Sequence, residues 1–258
     1  MAKETKSVTP NTASQAVAGY DWSQAGVTGF ENVQQSDLGI PFLTILQKGN
    51  PQIDEAHPDY VTKKIEGAKV GDIINNVNNT VVWSRASATA LQFIPCAFEK
   101  SFVEWTPREK GGGLVKMHAN ANIVSECTRN SKGQDELKNG NIVITTAYFY
   151  GLYFNGEEYV PAIIGMSSTQ RKKSTLWLNM MSALRIQGPR GPFNPPMFSH
   201  SYALTTVPES NEKGNWYGWM IRMHGEVKDA AVAQLATDTA KEKSAHRAAL
   251  PAPAQTPF

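Results

Sequence analysis

Between Tyr159 and Pro208 the chain carries Arg171, Lys172, Lys173, Arg185 and Arg190, and not one Asp or Glu. The formal net charge of the whole chain is only +2, so this segment is a local field of positive charge. Such a field can neutralise phosphates and release their counterions. Arg171-Lys172-Lys173 opens a stretch of helical periodicity, where cations oppose the helix dipole. Helix stability gives no reason for them there, whereas an anionic partner does; a solvated basic helix end is the competing reading. Arg190 and Phe193 are carried by Gly188-Pro189-Arg190-Gly191-Pro192-Phe193-Asn194-Pro195-Pro196, a loop with little conformational entropy to lose. A rigid connector between two elements would have the same composition.

Aromatic residues alternate with basic ones elsewhere. Phe98, Lys100, Phe102, Trp105 and Arg108 lie along one strand pattern and its exit. Tyr148, Phe149, Tyr150, Tyr153 and Phe154 crowd a second, and Trp216, Tyr217, Trp219 and Arg222 a third. Alternate residues of a strand share a face, so Tyr148 and Tyr150 can stack bases while Phe149 packs inward. A stacked base contributes about 1–3 kcal/mol. Most strand aromatics are core residues, so the signal is the clustering. The candidate nucleic-acid-binding set is Lys100, Phe102, Trp105, Arg108, Tyr148, Tyr150, Arg171, Lys172, Lys173, Trp177, Arg185, Arg190 and Phe193.

Catalytic patterns are not legible. His57, His118, His200, His224 and His246 are scattered, without the spacing of a metal site. Gly111-Gly112-Gly113 lacks the Lys-Ser/Thr that completes a phosphate-binding loop, and no Gly-x-Ser-x-Gly elbow occurs. Asp54, Glu55 and Asp59 sit in a Pro- and His-containing stretch that reads as solvated surface. No enzyme activity, metal or cofactor is expected.

The elements that must position these side chains are mostly strands. Residues 1–19 read as a polar arm, and an ordered block begins near Tyr20-Asp21-Trp22. Ser36-Asp37-Leu38 leads into Ile40–Leu46, where Pro41 limits any helix to starting at that point. Val81-Val82-Trp83, Leu91–Phe98 and Ser101–Trp105 have the β-branched and aromatic content of strands. Gly111-Gly112-Gly113 is a flexible loop and Arg129–Asn141 a polar, turn-rich insertion. Ile142–Phe154 and Tyr159–Met166 form a hairpin across Asn155-Gly156. Ser167-Ser168-Thr169 then offers an N-cap, and Leu176, Trp177, Met180, Met181 and Leu184 recur at helical spacing until Gly188-Pro189. Phe198–Val207 and Trp216–Val227 return to strand, joined by a polar connection over Pro208–Asn215. Asp229 caps an Ala-rich helix to Ala249, followed by the Pro/Ala tail 250–258. Hairpin-linked strands predict a mainly β (α+β) protein: an antiparallel, barrel-like sheet spanning residues 20–228, with a central helix and a C-terminal helix.

The 258 residues, 41% hydrophobic and 19% charged, suffice for one sizeable core. Cys96 and Cys127 stand far apart with no metal-ligand spacing, so both read as reduced thiols. The polar N-terminus lacks the apolar run of a secretory signal, and no stretch approaches a membrane span. The expected location is the host cytoplasm, without a membrane partner.

Several blocks resemble a group of tailed-bacteriophage proteins from early or replication gene regions, identified as single-stranded DNA-binding proteins. They are Asp37-Leu38-Gly39-Ile40-Pro41-Phe42-Leu43 with Leu46-Gln47-Lys48, Glu66-Gly67-Ala68-Lys69-Val70-Gly71, and Pro95-Cys96-Ala97-Phe98 with Glu104-Trp105. Further on come Ser168–Ser174, Gly191-Pro192-Phe193 with Pro195-Pro196-Met197, and Leu204–Glu209. The resemblance spans about residues 28–228. It implies an oligonucleotide-binding-fold-like barrel, a role in phage DNA replication or recombination, and single-stranded DNA as partner. Phage or host replication proteins and further copies of the chain are additional partners to consider. Proteins of this kind often end in an acidic tail tipped by phenylalanine. Phe258 supplies the tip and a candidate partner contact, but residues 229–258 balance Asp229, Asp238 and Glu242 against Lys241, Lys243 and Arg247, so the acidic part is missing.

The leading expectation is single-stranded DNA binding without sequence preference. Two others remain: a structural virion or assembly protein that packs against its own copies, and an inhibitor of a host protein.

Overall fold

The computed structural model describes residues 39–249 other than 119 and 213, and only the backbone of Arg108 and of 246–249. The expectations for 1–19, for the blocks at Tyr20 and Ser36, and for Phe258 lie outside the described residues. Gly39 aside, these residues belong to one unit that begins at Ile40.

Along the chain come β1 (Leu43–Ile45), α1 (Tyr60–Lys63), β2 (Ile73–Asn75), β3 (Thr80–Trp83), β4 (Leu91–Trp105) and β5 (Leu114–His118). Then follow α2 (Asn122–Ser125), β6 (Thr128–Arg129), β7 (Asp135–Glu136), β8 (Ile142–Phe154), β9 (Tyr159–Ser167) and α3 (Arg171–Ser182). Last are β10 (Ile186–Gly188), β11 (Gly191–Phe193), β12 (His200–Asn211), β13 (Gly214–Glu226) and α4 (Ala230–Ala249).

The fold is mainly β, antiparallel and barrel-like. Its spine is the pair β4–β8, in register from Phe93↔Tyr153 to Trp105↔Ile142. The β12–β13 hairpin joins the start of β4, and β5 joins its far end. On the other edge of β8, β9 covers Thr146–Phe154 and β7 covers only Ile142 and Val143. With β6 paired to β7, these strands form one eight-stranded sheet, more than an oligonucleotide-binding barrel has. Strand twist and a register shift between Pro95 and Ala97 curl the sheet. The small sheet β1–β2–β3 continues the curl through a parallel bridge between Phe42 and Ile163.

Over Leu91–Phe98 both faces of the spine are covered, which is why that stretch reads as a nearly unbroken apolar run. Inside the curl, Phe93, Phe149, Tyr202 and Leu204 pack around Trp177 of α3. Outside it, Ile94, Cys96 and Leu152 lie under Ala236 of α4. Burial pushes the Cys96 thiol up to about 12, so it stays a protonated, inert packing group. No described helix is long and apolar enough to cross a membrane.

The strands expected at Ile142–Phe154 and Tyr159–Met166 are β8 and β9, and Asp229 caps α4 through the amide of Ala231 at 2.8 Å. Other expectations are corrected. Ile40–Leu46 contributes strand β1, because Leu43 and Ile45 are buried on one face while Thr44 between them is exposed. The polar connection Pro208–Asn215 is mostly strand: β12 and β13 pair as far as Asn211↔Gly214. Pro208 is tolerated there because β4 pairs with β12 only at Tyr202–Leu204, leaving the other edge of β12 open at Pro208. The α3 helix stops at Ser182, where Asn194 Nδ2 and Arg185 Nη1 donate to the terminal carbonyls. The Gly188–Asn194 loop is the hairpin β10–β11, with Pro189 and Arg190 at its tip.

Candidate nucleic-acid interface

After Ser167 the chain leaves the edge of β8 through a 3-10 turn, Ser168–Gln170, before α3 begins. Ser168 makes that corner in the left-handed region, at φ 49°, which is uncommon for a residue with a Cβ. As a result β9 stops at Thr146; β7 reaches only to Val143, so Ile144 and Thr145 have no strand partner on that edge. This gap is the floor of a notch of about 420 Å³. The β6–β7 hairpin forms one wall, with Arg129, Gln134 and Asp135, and Ser168, Thr169 and Arg171 form the other.

The notch continues into a second cleft of about 540 Å³, which shares Gln134, Ile142 and Ile144 with it. Its walls are Trp105 and Pro107, with Glu109 and Lys132 at the rim. Trp105 pairs with Ile142 and keeps 38% of its surface exposed. The whole groove therefore has an apolar floor, an indole wall at one end and the Arg171 guanidinium at the other.

Three cations line the groove against two carboxylates. Arg129 pairs with Asp135 at 2.6 Å and Lys132 with Glu109 at 2.8 Å. The hydrogen bond from Lys132 holds the Glu109 carboxyl below its ordinary value and raises the amine of Lys132. Among the described residues no carboxylate pairs with Arg171, whose side chain is exposed. An apolar slot beside an unpaired arginine suits a flat ring attached to an anion.

The structure thus sets Trp105 and Arg171, both members of the candidate set and 66 positions apart in sequence, along one groove. Arg108 opens the 3-10 turn Arg108–Lys110 that follows Trp105 and Pro107. Lys172 is exposed beside Arg171. The remaining candidates are placed elsewhere. Lys100 and Phe102 are an odd number of residues from Trp105 on a regular stretch of β4, so they lie on the opposite face. Phe102 is also buried, which removes it as a stacking platform. Trp177 is fully buried, its ring stacked on Phe149 at 4.3 Å. It is the core anchor of α3, because the helix turns that face into the curl. Lys173 Nζ is held by Glu209 at 2.6 Å and by the Trp219 carbonyl at 3.1 Å. Arg185, just past the end of α3, donates to the Ser182 and Leu184 carbonyls. Arg190 and Phe193 are exposed on the separate β10–β11 hairpin.

Tyr148 and Tyr150 share the outer face of β8 with Ile142 and Ile144. Both are half-buried, and burial raises both phenols. Phe42 meets Tyr148 edge-on at 6.0 Å, Tyr150 donates to Glu99 at 3.2 Å, and Lys243 of α4 sits 4.5 Å over the Tyr150 ring. The two tyrosines lie in line with the groove but are already in contact with protein groups.

Sequence reasoning missed Ile142, Ile144, Gln134, Arg129 and Lys132 as lining residues. A signal was present: the Asn155-Gly156 hairpin pairs Tyr159 with Phe154, so Met166 reaches only Ala147. Residues 142–145 must then lack a hairpin partner.

A family model described as Pam3 phage gp34-like protein matches residues 9–249. No curated protein and no solved structure matches the chain. The bacteriophage part of the expected resemblance is thereby shown, at the level of family and without a described function. The chain belongs to the Pam3 phage gp34-like protein family.

Proposed function

We propose that the protein binds single-stranded nucleic acid, DNA in the first instance, along the groove that joins Trp105 to Arg171, in support of phage DNA replication or recombination. One observation carries the reading: two clefts with a shared apolar floor connect an exposed indole to an arginine that has no carboxylate partner among the described residues. A base stacks on Trp105 and slides over Ile142 and Ile144, while a neighbouring phosphate meets Arg171, with Arg129 and Lys132 on the rim. Stacking needs an unpaired base, and every base has a π-face, so the interface is selective for single strands and indifferent to sequence. This is binding, not catalysis.

The test is a fluorescence-anisotropy titration with labelled oligothymidine, repeated with a duplex of equal length and across a salt series. Binding should favour the single strand and weaken with salt, with a log–log slope of about −0.7 per phosphate contacted. Trp105→Ala should reduce affinity, and its loss of stacking should persist at high salt. Absence of binding at low salt by folded protein would overturn the proposal.

A second reading has its own observation. The edge strand β5 exposes Leu114, Val115 and Met117, each by half or more. Exposed apolar edges pair with other chains, which suits an assembly protein. Sedimentation of the nucleic-acid-free protein as a large homogeneous assembly would favour that role.

A further inference from the structure

We infer that the cleft beside Trp216 is a second base-binding subsite, which a strand held in the Trp105–Arg171 groove reaches beyond Arg171. The inference rests on the single-strand reading of that groove. Of the three aromatic clusters in the sequence, the one at Trp216 and Tyr217 has no part in the groove. These two residues line a separate cleft of about 560 Å³ towards the turn of the β12–β13 hairpin, together with Pro208, Glu209 and Lys48.

The 3-10 turn Ser168–Gln170 links the two sites. Ser168, Thr169 and Arg171 line the notch. Gln170 reaches instead to β12 and β13: its Nε2 donates to Glu209 at 3.0 Å, and its Oε1 accepts from the Trp219 amide at 2.9 Å. The same Glu209 oxygen accepts from the Trp216 indole N–H at 2.8 Å. Gly218 leaves room for this bridge, since a Cβ there would stand 2.5 Å from Glu209 Oε2 and 2.7 Å from Gln170 Nε2. One turn and one carboxylate therefore connect the wall of the notch to the second indole, with Lys172 exposed beside Arg171.

The chemistry of the cleft repeats that of the groove. Trp216 is half-buried and its indole is held at the edge by Glu209, which fixes the ring. The charge of Glu209 is met by Lys173 Nζ at 2.6 Å, so it does not oppose an anion. Lys48 is exposed, and no carboxylate among the described residues pairs with it. Arg85 adds a second cation beside the cleft: it lies 4.6 Å over the Tyr217 ring and donates to the Val70 carbonyl at 3.2 Å. A fixed indole next to an unpaired cation suits a base on the ring and a phosphate on the amine.

The test titrates the full chain with oligothymidine of about 16 nucleotides, the upper end for a single-strand site. Binding should saturate at one oligonucleotide per chain. Trp216→Ala should weaken it about fivefold or more. Trp216→Phe loses the bond to Glu209 but keeps an aromatic face, and should bind nearly as tightly as the parent. Lys48→Ala, at an exposed position, should make the log–log salt slope shallower by about 0.7. Equal losses in the two Trp216 variants would assign the effect to the Glu209 bridge and overturn the subsite, as would an unchanged slope in Lys48→Ala. Saturation at two oligonucleotides per chain would overturn a shared strand. Trp105→Ala is the control: if it weakens binding while the Trp216 and Lys48 variants do not, the groove stands and the second subsite falls. If oligothymidine does not bind the folded parent at low salt, both fall.

Discussion

The side-chain amide of Gln47 pairs with the backbone of Tyr217 as a strand would: Nε2 donates to the Tyr217 carbonyl and Oε1 accepts from the Tyr217 amide, both at 2.8 Å. The two residues are 170 apart in sequence. One side chain thus closes the curl between the end of β1 and the β13 edge, supported by the Thr206 hydroxyl donating to the Gly71 carbonyl at 2.6 Å. Gln47→Glu keeps the acceptor but cannot donate, and it sets a carboxylate against the Tyr217 carbonyl. The expected cost is about 1–3 kcal/mol. Urea unfolding followed by tryptophan fluorescence measures it; a change within experimental error would show that the curl is held elsewhere.

Gly151 lies on β8 against Ile94 and the ring of Phe93 of β4. A Cβ there would meet the Ile94 carbonyl oxygen and stand within 2.6 Å of the Phe93 ring. Gly151→Ala should therefore destabilise by about 3 kcal/mol, the upper end for overpacking. Gly156→Ala is the comparison: it has open space but a φ of 109°, so its cost is backbone strain alone. Thermal melts of the two variants separate packing from strain.

Acid should loosen the end of the spine near the groove. Glu104 is buried and accepts from Asn141 at 2.6 Å, from His118 at 2.9 Å and from Asn139 at 3.4 Å. The Asn141 bond, then that of His118, holds its carboxyl below the ordinary 4.5. A carboxylate lowered by folding contributes stability that is fully present above its unfolded value and is lost as pH falls through its folded value. The protein should accordingly lose stability below about pH 4.5. Glu104→Gln should lower stability near neutrality by about 1–3 kcal/mol and flatten the acid limb. Denaturation curves at a series of pH values check both; an acid limb as steep as the parent's would assign it to other carboxylates.

Much of the fold could be read along the chain because its signals are local. The limits of β8 follow from an unbroken β-rich run ended by Asn155-Gly156, and the face assignment of Tyr148 against Phe149 follows from a period of two. What could not be read depends on partners distant in sequence. Pro208 looked like a break because nothing nearby shows that one edge of β12 is open. The periodicity placed Trp177 on a helix, but its burial depends on the curl of the sheet beneath it. For the same reason the basic triplet looked uniform, although Glu209 holds Lys173 and leaves Arg171 and Lys172 exposed.

That division within the triplet gives two variants that should behave oppositely. Lys173 is three-quarters buried against Glu209, with bonds from Gln170 at 3.0 Å and Trp216 at 2.8 Å completing the carboxylate's partners. Burial alone would raise the Glu209 carboxyl, but the bonds from Lys173, Trp216 and Gln170 outweigh it and the net shift is downward. Lys173→Ala should leave that carboxylate without its cation and lower stability by about 1–3 kcal/mol. It should not alter the salt dependence of oligothymidine binding. Arg171→Ala should change stability by no more than about 0.5 kcal/mol and make the log–log salt slope shallower by about 0.7. Parallel urea denaturation and salt-series anisotropy on both variants decide it. A shallower slope for Lys173→Ala with an unchanged one for Arg171→Ala would move the phosphate contact out of the notch, to the α3–β13 side of the helix.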